Sequence, residues 1–162
     1  MKKVLTILSF IALTFGMSQA QTDKVLPSIA LSSIDGKTVN LKDAVQGHKV
    51  TVVSFWAMWC TNCVTQYNTL AGKMNEIGVP FYAVSIDAKD QEAKVTPFIQ
   101  GKGWRFSFLL DPDKQVFRAL GATFPPHIFI VNSSGKVLWE QRVFNENSEA
   151  EFLKKLKELN GK

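Results

Sequence analysis

Strands that alternate with helices, closed by a hairpin and a last helix, predict an α/β protein built as a three-layer sandwich. Three stretches carry that prediction. Val50 to Trp56 and Phe81 to Ile86 are apolar and unbroken by polar alternation, as strands buried on both faces are. Between them, from Cys63 onward, Tyr67, Leu70, Met74 and Ile77 recur at helical spacing. Near the end, His127 to Val131 and Val137 to Val143 flank Ser133-Ser134-Gly135, a turn that should join them as a hairpin.

Leu26 to Lys49 holds the first elements. Ile29-Ala30-Leu31 and Thr38-Val39-Asn40-Leu41 sit either side of Asp35-Gly36, a hairpin signal. After the strand Val50 to Trp56, one helix is expected from Cys63 to Ile77, ended by Gly78 and Pro80. The strand Phe81 to Ile86 follows, then a helix from about Asp90 carrying Val95, Phe98 and Ile99. Pro97 within it predicts either a kink or a restart with Thr96 as cap. A short strand at Phe106 to Leu110 and a short helix at Lys114 to Leu120 lead to the closing hairpin. The final helix should open at Ser148-Glu149-Ala150-Glu151, read as a capping box.

The first twenty residues stand apart. Lys2 and Lys3 precede a 14-residue, largely apolar stretch from Val4 to Met17, and Ser18-Gln19-Ala20 supplies small residues before a cut. This predicts a cleaved signal peptide over residues 1–20, with one domain over 21–162. A spanning anchor would need about 20 apolar residues. Without the leader, 17 basic residues face 14 acidic ones, a net of +3. So mild and scattered a charge gives no case for nucleic acid. Lys154-Lys155-Leu156-Lys157, the densest basic run, interleaves with apolar positions as a solvated helix face does.

Cys60 and Cys63 are the only cysteines of the 162 residues. They stand where the strand hands over to the helix, the setting of a reversible dithiol–disulfide switch. Export would place them in an oxidising compartment, where a lone pair might serve as a staple. A crosslink closing so short a loop constrains the unfolded chain very little, so chemistry is the better reason for the pair. At a helix N-terminus the thiolate of Cys60 is favoured, and such settings lower cysteine pKa values to roughly 3.5–7.5 from about 8.5. Cys60 then attacks a substrate disulfide and Cys63, one turn on, resolves the mixed disulfide. Trp59 and Trp56 would frame the pair with flat apolar surface for docking an extended segment.

Phe55-Trp56-Ala57-Met58-Trp59-Cys60-Thr61-Asn62-Cys63 resembles the active-site segment of the thioredoxin superfamily. Asp35-Gly36-Lys37, Val84-Ser85-Ile86-Asp87, Phe108-Leu109-Leu110-Asp111-Pro112-Asp113, Pro126-His127-Ile128-Phe129-Ile130-Val131-Asn132 and Gly135-Lys136-Val137-Leu138-Trp139 follow the same series. Together they resemble the TlpA/ResA-like branch of bacterial envelope thioredoxins over nearly the whole of Pro27 to Leu159. The resemblance implies a thioredoxin-like sandwich with an N-terminal hairpin and a central strand–helix insertion, supplied by Val79 to Trp104. It implies a periplasmic thiol–disulfide oxidoreductase that reduces disulfides of exported proteins, apocytochromes awaiting haem among them. A membrane thiol-transporting reductase would recharge it, no cofactor is needed beyond the redox-active disulfide, and a monomer is expected.

The resemblance also places a cis-proline facing the cysteines at Pro126. The residue before it, which in the family lends main-chain groups to a bound peptide, is Pro125, and proline has no N–H. Docking here would lean on apolar contact. Ser54 occupies the place of the buried aspartate of thioredoxins, and Gln66 that of a glutamate close to the cysteines. Neither side chain titrates in the working range, so Cys63 lacks its usual base. Thr61-Asn62 lacks the proline common in this loop.

Two rival readings remain open on the residues. Cys60, Cys63 and His127 form a candidate copper(I) or zinc set, as in Sco-type chaperones of this fold, although those space their cysteines by three. A disulfide oxidase uses the same pair in the other direction, but oxidases of the DsbA kind carry a helical insertion that the strand-rich Cys63-to-Pro126 stretch does not resemble. Haem attachment would need histidine where Val64 stands, and no threonine–arginine set for a peroxidatic cysteine is present.

Overall fold

The computed structural model describes residues 23–142 and 144–161. The leader expected over residues 1–20 lies outside the described residues, as does Val143. In chain order the elements are β1 (Ala30–Ser33), β2 (Thr38–Asn40), α1 (Leu41–Ala44), β3 (Val50–Trp56), α2 (Thr61–Ala71), α3 (Met74–Ile77) and β4 (Phe81–Ser85). Then come α4 (Glu92–Lys102), β5 (Ser107–Leu110), α5 (Gln115–Ala119), β6 (His127–Asn132), β7 (Val137–Gln141) and α6 (Glu146–Asn160).

One mixed sheet of seven strands runs in the order β2-β1-β5-β4-β3-β6-β7. β3, the strand that leads to the cysteines, is buried at every position. It pairs parallel with β4, which pairs parallel with β5, and antiparallel with β6. Those parallel steps are why helices α2 and α4 must cross back over the sheet. The N-terminal hairpin (β1 and β2) joins at the β5 edge, with Leu31 opposite Val39. Val79 to Trp104 contributes β4 and α4, the strand and helix that the family resemblance implies there.

Side chains alternate across a strand, so β3 feeds two layers. Trp56 packs against Tyr67 of α2, Phe98 of α4 and Trp104. Ile130, opposite Val52, carries that face outward to Trp139, which meets Phe152 of α6. Phe55 points the other way, to Phe117 of α5 and Phe129 of β6. Helices on both faces make the three layers that the α/β pattern predicts.

Several boundaries differ from expectation for physical reasons. The single helix expected over 63–77 is two. α2 stops at Gly72, a poor helix former, and α3 restarts at Met74, so the apolar spacing outlives the break. Gly78 then ends α3 in the left-handed region, which glycine adopts without a Cβ penalty. Pro97 lies inside a continuous α4, preceded by a 3₁₀ turn at Lys89–Gln91, and Thr96 caps nothing there. The capping box of α6 is Asn145 with Ser148, not Ser148 with Glu151. Asn145 Oδ1 accepts the Ser148 N–H at 3.0 Å and Ser148 Oγ accepts the Asn145 N–H at 2.5 Å. Asparagine caps as well as serine, and starting there lengthens the helix at no loss.

Candidate functional site

β3 ends at Trp56, and residues 57–60 turn the chain into α2. Cys60 is the N-cap: its backbone is extended, and its Sγ accepts the N–H of Cys63 at 3.2 Å. That bond satisfies one of the free donors every helix start presents. Cys60 and Cys63 are joined as a disulfide, with Cα atoms 5.2 Å apart. Cys63 is wholly buried, while Cys60 keeps a narrow exposed edge. Of the two cysteines only Cys60 keeps any surface open to a reactant from outside.

The turn is held from the neighbouring parallel strand. Asp87, buried just past β4, takes the Met58 N–H on both carboxylate oxygens, at 3.0 and 3.2 Å. Ser85 Oγ donates to the same carboxylate at 2.8 Å. In the sequence Asp87 is only the last residue of Val84-Ser85-Ile86-Asp87. Its signal was positional: in open α/β sheets, sites gather beyond the carboxyl ends of parallel strands, and Asp87 stands there beside β3.

Trp59 is 56% exposed and Phe124 66%. Their rings meet edge to face with centroids 5.9 Å apart, which brings the 124–126 loop against the active-site segment. The Pro125–Pro126 peptide is cis, and both prolines are buried. Trp56 departs from expectation. It is completely buried in the aromatic core of the α2–α4 layer, so it offers no docking surface. Phe124, and not Trp56, is the exposed ring beside Trp59.

Ser54 and Gln66 are both buried. Ser54 accepts the hydroxyl of Tyr67 on its Oγ at 3.0 Å and on its carbonyl at 3.2 Å. Burial raises the Tyr67 phenol well above its ordinary range, against the pull of Ser54. Gln66 shares the inward stripe of α2 with Cys63, Tyr67 and Leu70, and its Oε1 finds no donor.

His127 does not join the cysteines. Opposite Phe55 in the β3–β6 register, it stacks on Phe129 at 4.1 Å, on the sheet face away from α2. Its Nε2 stands 3.3 Å from Glu140, short of hydrogen-bond alignment. Burial pushes the imidazole down to about 4; Glu140 pulls it back, while Arg142 and Lys24 add to the depression. Burial alone would raise the Glu140 carboxyl, but Lys24 at 2.6 Å, His127 and Arg142 outweigh it and hold it below the usual range. Among the described residues no three His, Cys, Asp or Glu side chains converge as a metal-ligand set, so the Cys60–Cys63–His127 grouping is not assembled. No helix of the described residues is long and apolar enough to cross a membrane.

The geometry agrees with what this chain resembles. The model of the AhpC/TSA family matches residues 22–140. A thiol:disulfide interchange protein DsbE homolog of Paracoccus denitrificans is 29% identical over 123 residues, covering 75% of this chain and 66% of that protein, just under two thirds. The thiol-disulfide oxidoreductase ResA of Bacillus thuringiensis is 27% identical over 142 residues, covering 84% of this chain and 79% of the other. Among solved structures, an uncharacterized thioredoxin-like protein from Porphyromonas gingivalis superposes with a TM-score of 0.72 at 33% identity, over 84% of this chain and 92% of its own.

Proposed function

The chain belongs to the AhpC/TSA family and is a thiol–disulfide oxidoreductase of thioredoxin-like fold, and we propose that it works in the periplasm as a reductant of exported proteins. The observation that carries the chemistry is the Cys60–Cys63 disulfide closing the first turn of α2, one sulfur at the surface edge and one buried. In the reduced protein the Cys60 thiolate attacks a substrate disulfide, forming a mixed disulfide and expelling a substrate thiolate that takes up a proton. The Cys63 thiol then loses its proton and attacks the Cys60 sulfur, which releases the second substrate thiol and restores the internal disulfide.

The location draws support from the basic–apolar–small pattern of residues 1–20, and the reductive direction from the resemblance to the TlpA/ResA-like branch. Recharging would fall to a membrane thiol-transporting reductase, and apocytochromes awaiting haem are among the substrates this reading expects. Docking is assigned to Trp59, Phe124, Pro125 and Pro126. Trp59 and Phe124 offer the exposed apolar surface beside Cys60, and Pro125 cannot donate a main-chain N–H to an incoming strand.

Titration of the purified protein in thiol–disulfide buffers tests the direction. A potential near about −270 mV, the thioredoxin value, fits a dedicated reductant. A value near about −120 mV marks an oxidant and overturns the direction.

A further inference from the structure

We propose that Lys24 and Glu140 are a positioning pair for docking: their ion pair braces both feet of the loop 121–127, which carries Phe124, Pro125 and Pro126. The inference rests on reading that loop as part of the docking surface beside Cys60. Lys24 is set on the sheet margin, where its carbonyl accepts the Val137 N–H at 2.9 Å. From there its side chain runs over the Phe129 ring, with Nζ 5.5 Å from the centroid, to Glu140 Oε2 at 2.6 Å.

One foot of the loop is Gly121, just past α5. A Cβ built there would lie 3.6 Å from Lys24 Cε and 3.7 Å from Nζ, so the charged end of Lys24 rests against this backbone. The other foot is His127, next in the chain after the cis-proline Pro126. Its ring stacks on Phe129, and its Nε2 stands 3.3 Å from the same Glu140 oxygen that holds Lys24. Between the feet, Thr123 and Phe124 make no hydrogen bond among the described residues. Pro125 and Pro126 have no N–H to give. Apart from the ring contact of Phe124 with Trp59, the loop's place therefore depends on its two ends.

Neighbouring charges do not replace Lys24. Arg142 meets Glu140 on its other oxygen, at 3.1 Å, and steadies the carboxylate from the solvent side. His127 is held neutral by burial above about pH 4, so it supplies no standing positive charge. A loop fixed at both ends before binding loses less freedom on docking, and that lowers the cost of holding a peptide. Only a substrate large enough to touch Phe124 gains from it.

The test replaces each charge by a neutral side chain of similar shape, Lys24→Met and Glu140→Gln, in the full chain. The reduced proteins are given two substrates: an unfolded peptide with an internal disulfide and apolar flanks, and hydroxyethyl disulfide, too small to reach Phe124. Both variants should raise the KM for the peptide about two- to fivefold with kcat unchanged, the range of a partly exposed ion pair. Their rates with the small disulfide should match the parent's. The double variant should be no worse than Glu140→Gln alone, as coupled residues behave, and Lys24→Arg should restore the parent's KM. An unchanged KM in both variants, or equal slowing with both substrates, would make the pair a stabiliser of the fold only and overturns the proposal. If Glu140→Gln does not fold, Lys24→Met decides alone, since that side chain is 26% exposed. A parent that exchanges with neither disulfide sinks the oxidoreductase reading. One that exchanges only with the small disulfide sinks the docking loop, and the proposal falls with either.

Discussion

The backbone N–H of Met58 is shared by the two carboxylate oxygens of Asp87, at 3.0 and 3.2 Å, across the gap between the ends of β3 and β4. The turn that presents Trp59 and Cys60 is thus fastened to the strand beside it as well as, through Cys60, to its own helix. Asp87→Ala should leave that partly buried N–H unpaired and cost about 1–3 kcal/mol of stability. It should also slow disulfide exchange, because Cys60 is then less firmly placed. Urea unfolding and a dithiol turnover assay read the two effects. A loss below about 0.5 kcal/mol would mean that the turn holds itself.

Trp59 and Phe124 are exposed, so truncating them should barely touch folding. Edge-to-face aromatic contacts are worth about 0.5–1.5 kcal/mol beyond burial. Trp59→Ala and Phe124→Ala should each raise the KM for an unfolded disulfide substrate roughly two- to tenfold, since 1.4 kcal/mol is a factor of ten. Unfolding midpoints should stay close to the parent's, as surface substitutions normally do. Unchanged KM in both variants would move the docking surface elsewhere.

Pro125 withholds a main-chain donor at the point where a peptide would add as a strand. Pro125→Thr restores the N–H, and binding of an extended peptide to a Cys63→Ser trap should tighten by a few fold, on the scale of one hydrogen bond at about 1 kcal/mol. Equal or weaker peptide binding, followed by fluorescence of Trp59, would show that the position shapes the loop only.

His127 gives the fold an acid dependence. Its folded-state pKa, about 4, lies below the unfolded value near 6.5, so the unfolded chain binds the proton first. Stability on this account is full above about pH 6.5, falls as the pH drops toward about 4, and is level below that. Each unit within the window costs up to about 1.4 kcal/mol, on the order of 3 kcal/mol across it. Lys24, Glu140 and Arg142, the charged groups around the ring, remain in the comparison variant His127→Gln. That variant should lose this part of the slope in urea titrations between pH 4 and 7; an unchanged slope would show that other groups carry it.

Periodicity and β-branched runs made the strands and the redox pair legible, because both depend on local pattern. β3 falls on the residues expected, and α5 and β6 lie within a residue or so of theirs. What escaped depends on which residues meet across the fold. Trp56 follows Phe55 in an unbroken apolar run, and nothing local says that one of two tryptophans three apart is interior while the other is half in solvent. Phe124 precedes the two prolines and carries no local signal of its own, since its partner Trp59 is 65 positions earlier. Asp87 looked like the last letter of a motif until β4 placed it beside Met58. His127 was expected near the cysteines because its neighbour in sequence is the cis-proline, but alternation along β6 turns successive side chains to opposite faces.

Lys24 to Leu26 lies along β7 without being a strand of the sheet. Val25 bridges Lys136, the Leu26 N–H donates to the Gly135 carbonyl, and Lys24 takes the Val137 N–H on its own carbonyl. At the other margin, β2 is three residues long. An open margin of a sheet is a template onto which other extended chains can zip and grow into aggregates. Here one margin is partly sheathed and the other is too short to template much pairing. On the proposed function, this leaves the cysteine end, with Trp59 and Phe124 exposed, as the surface open to a substrate chain.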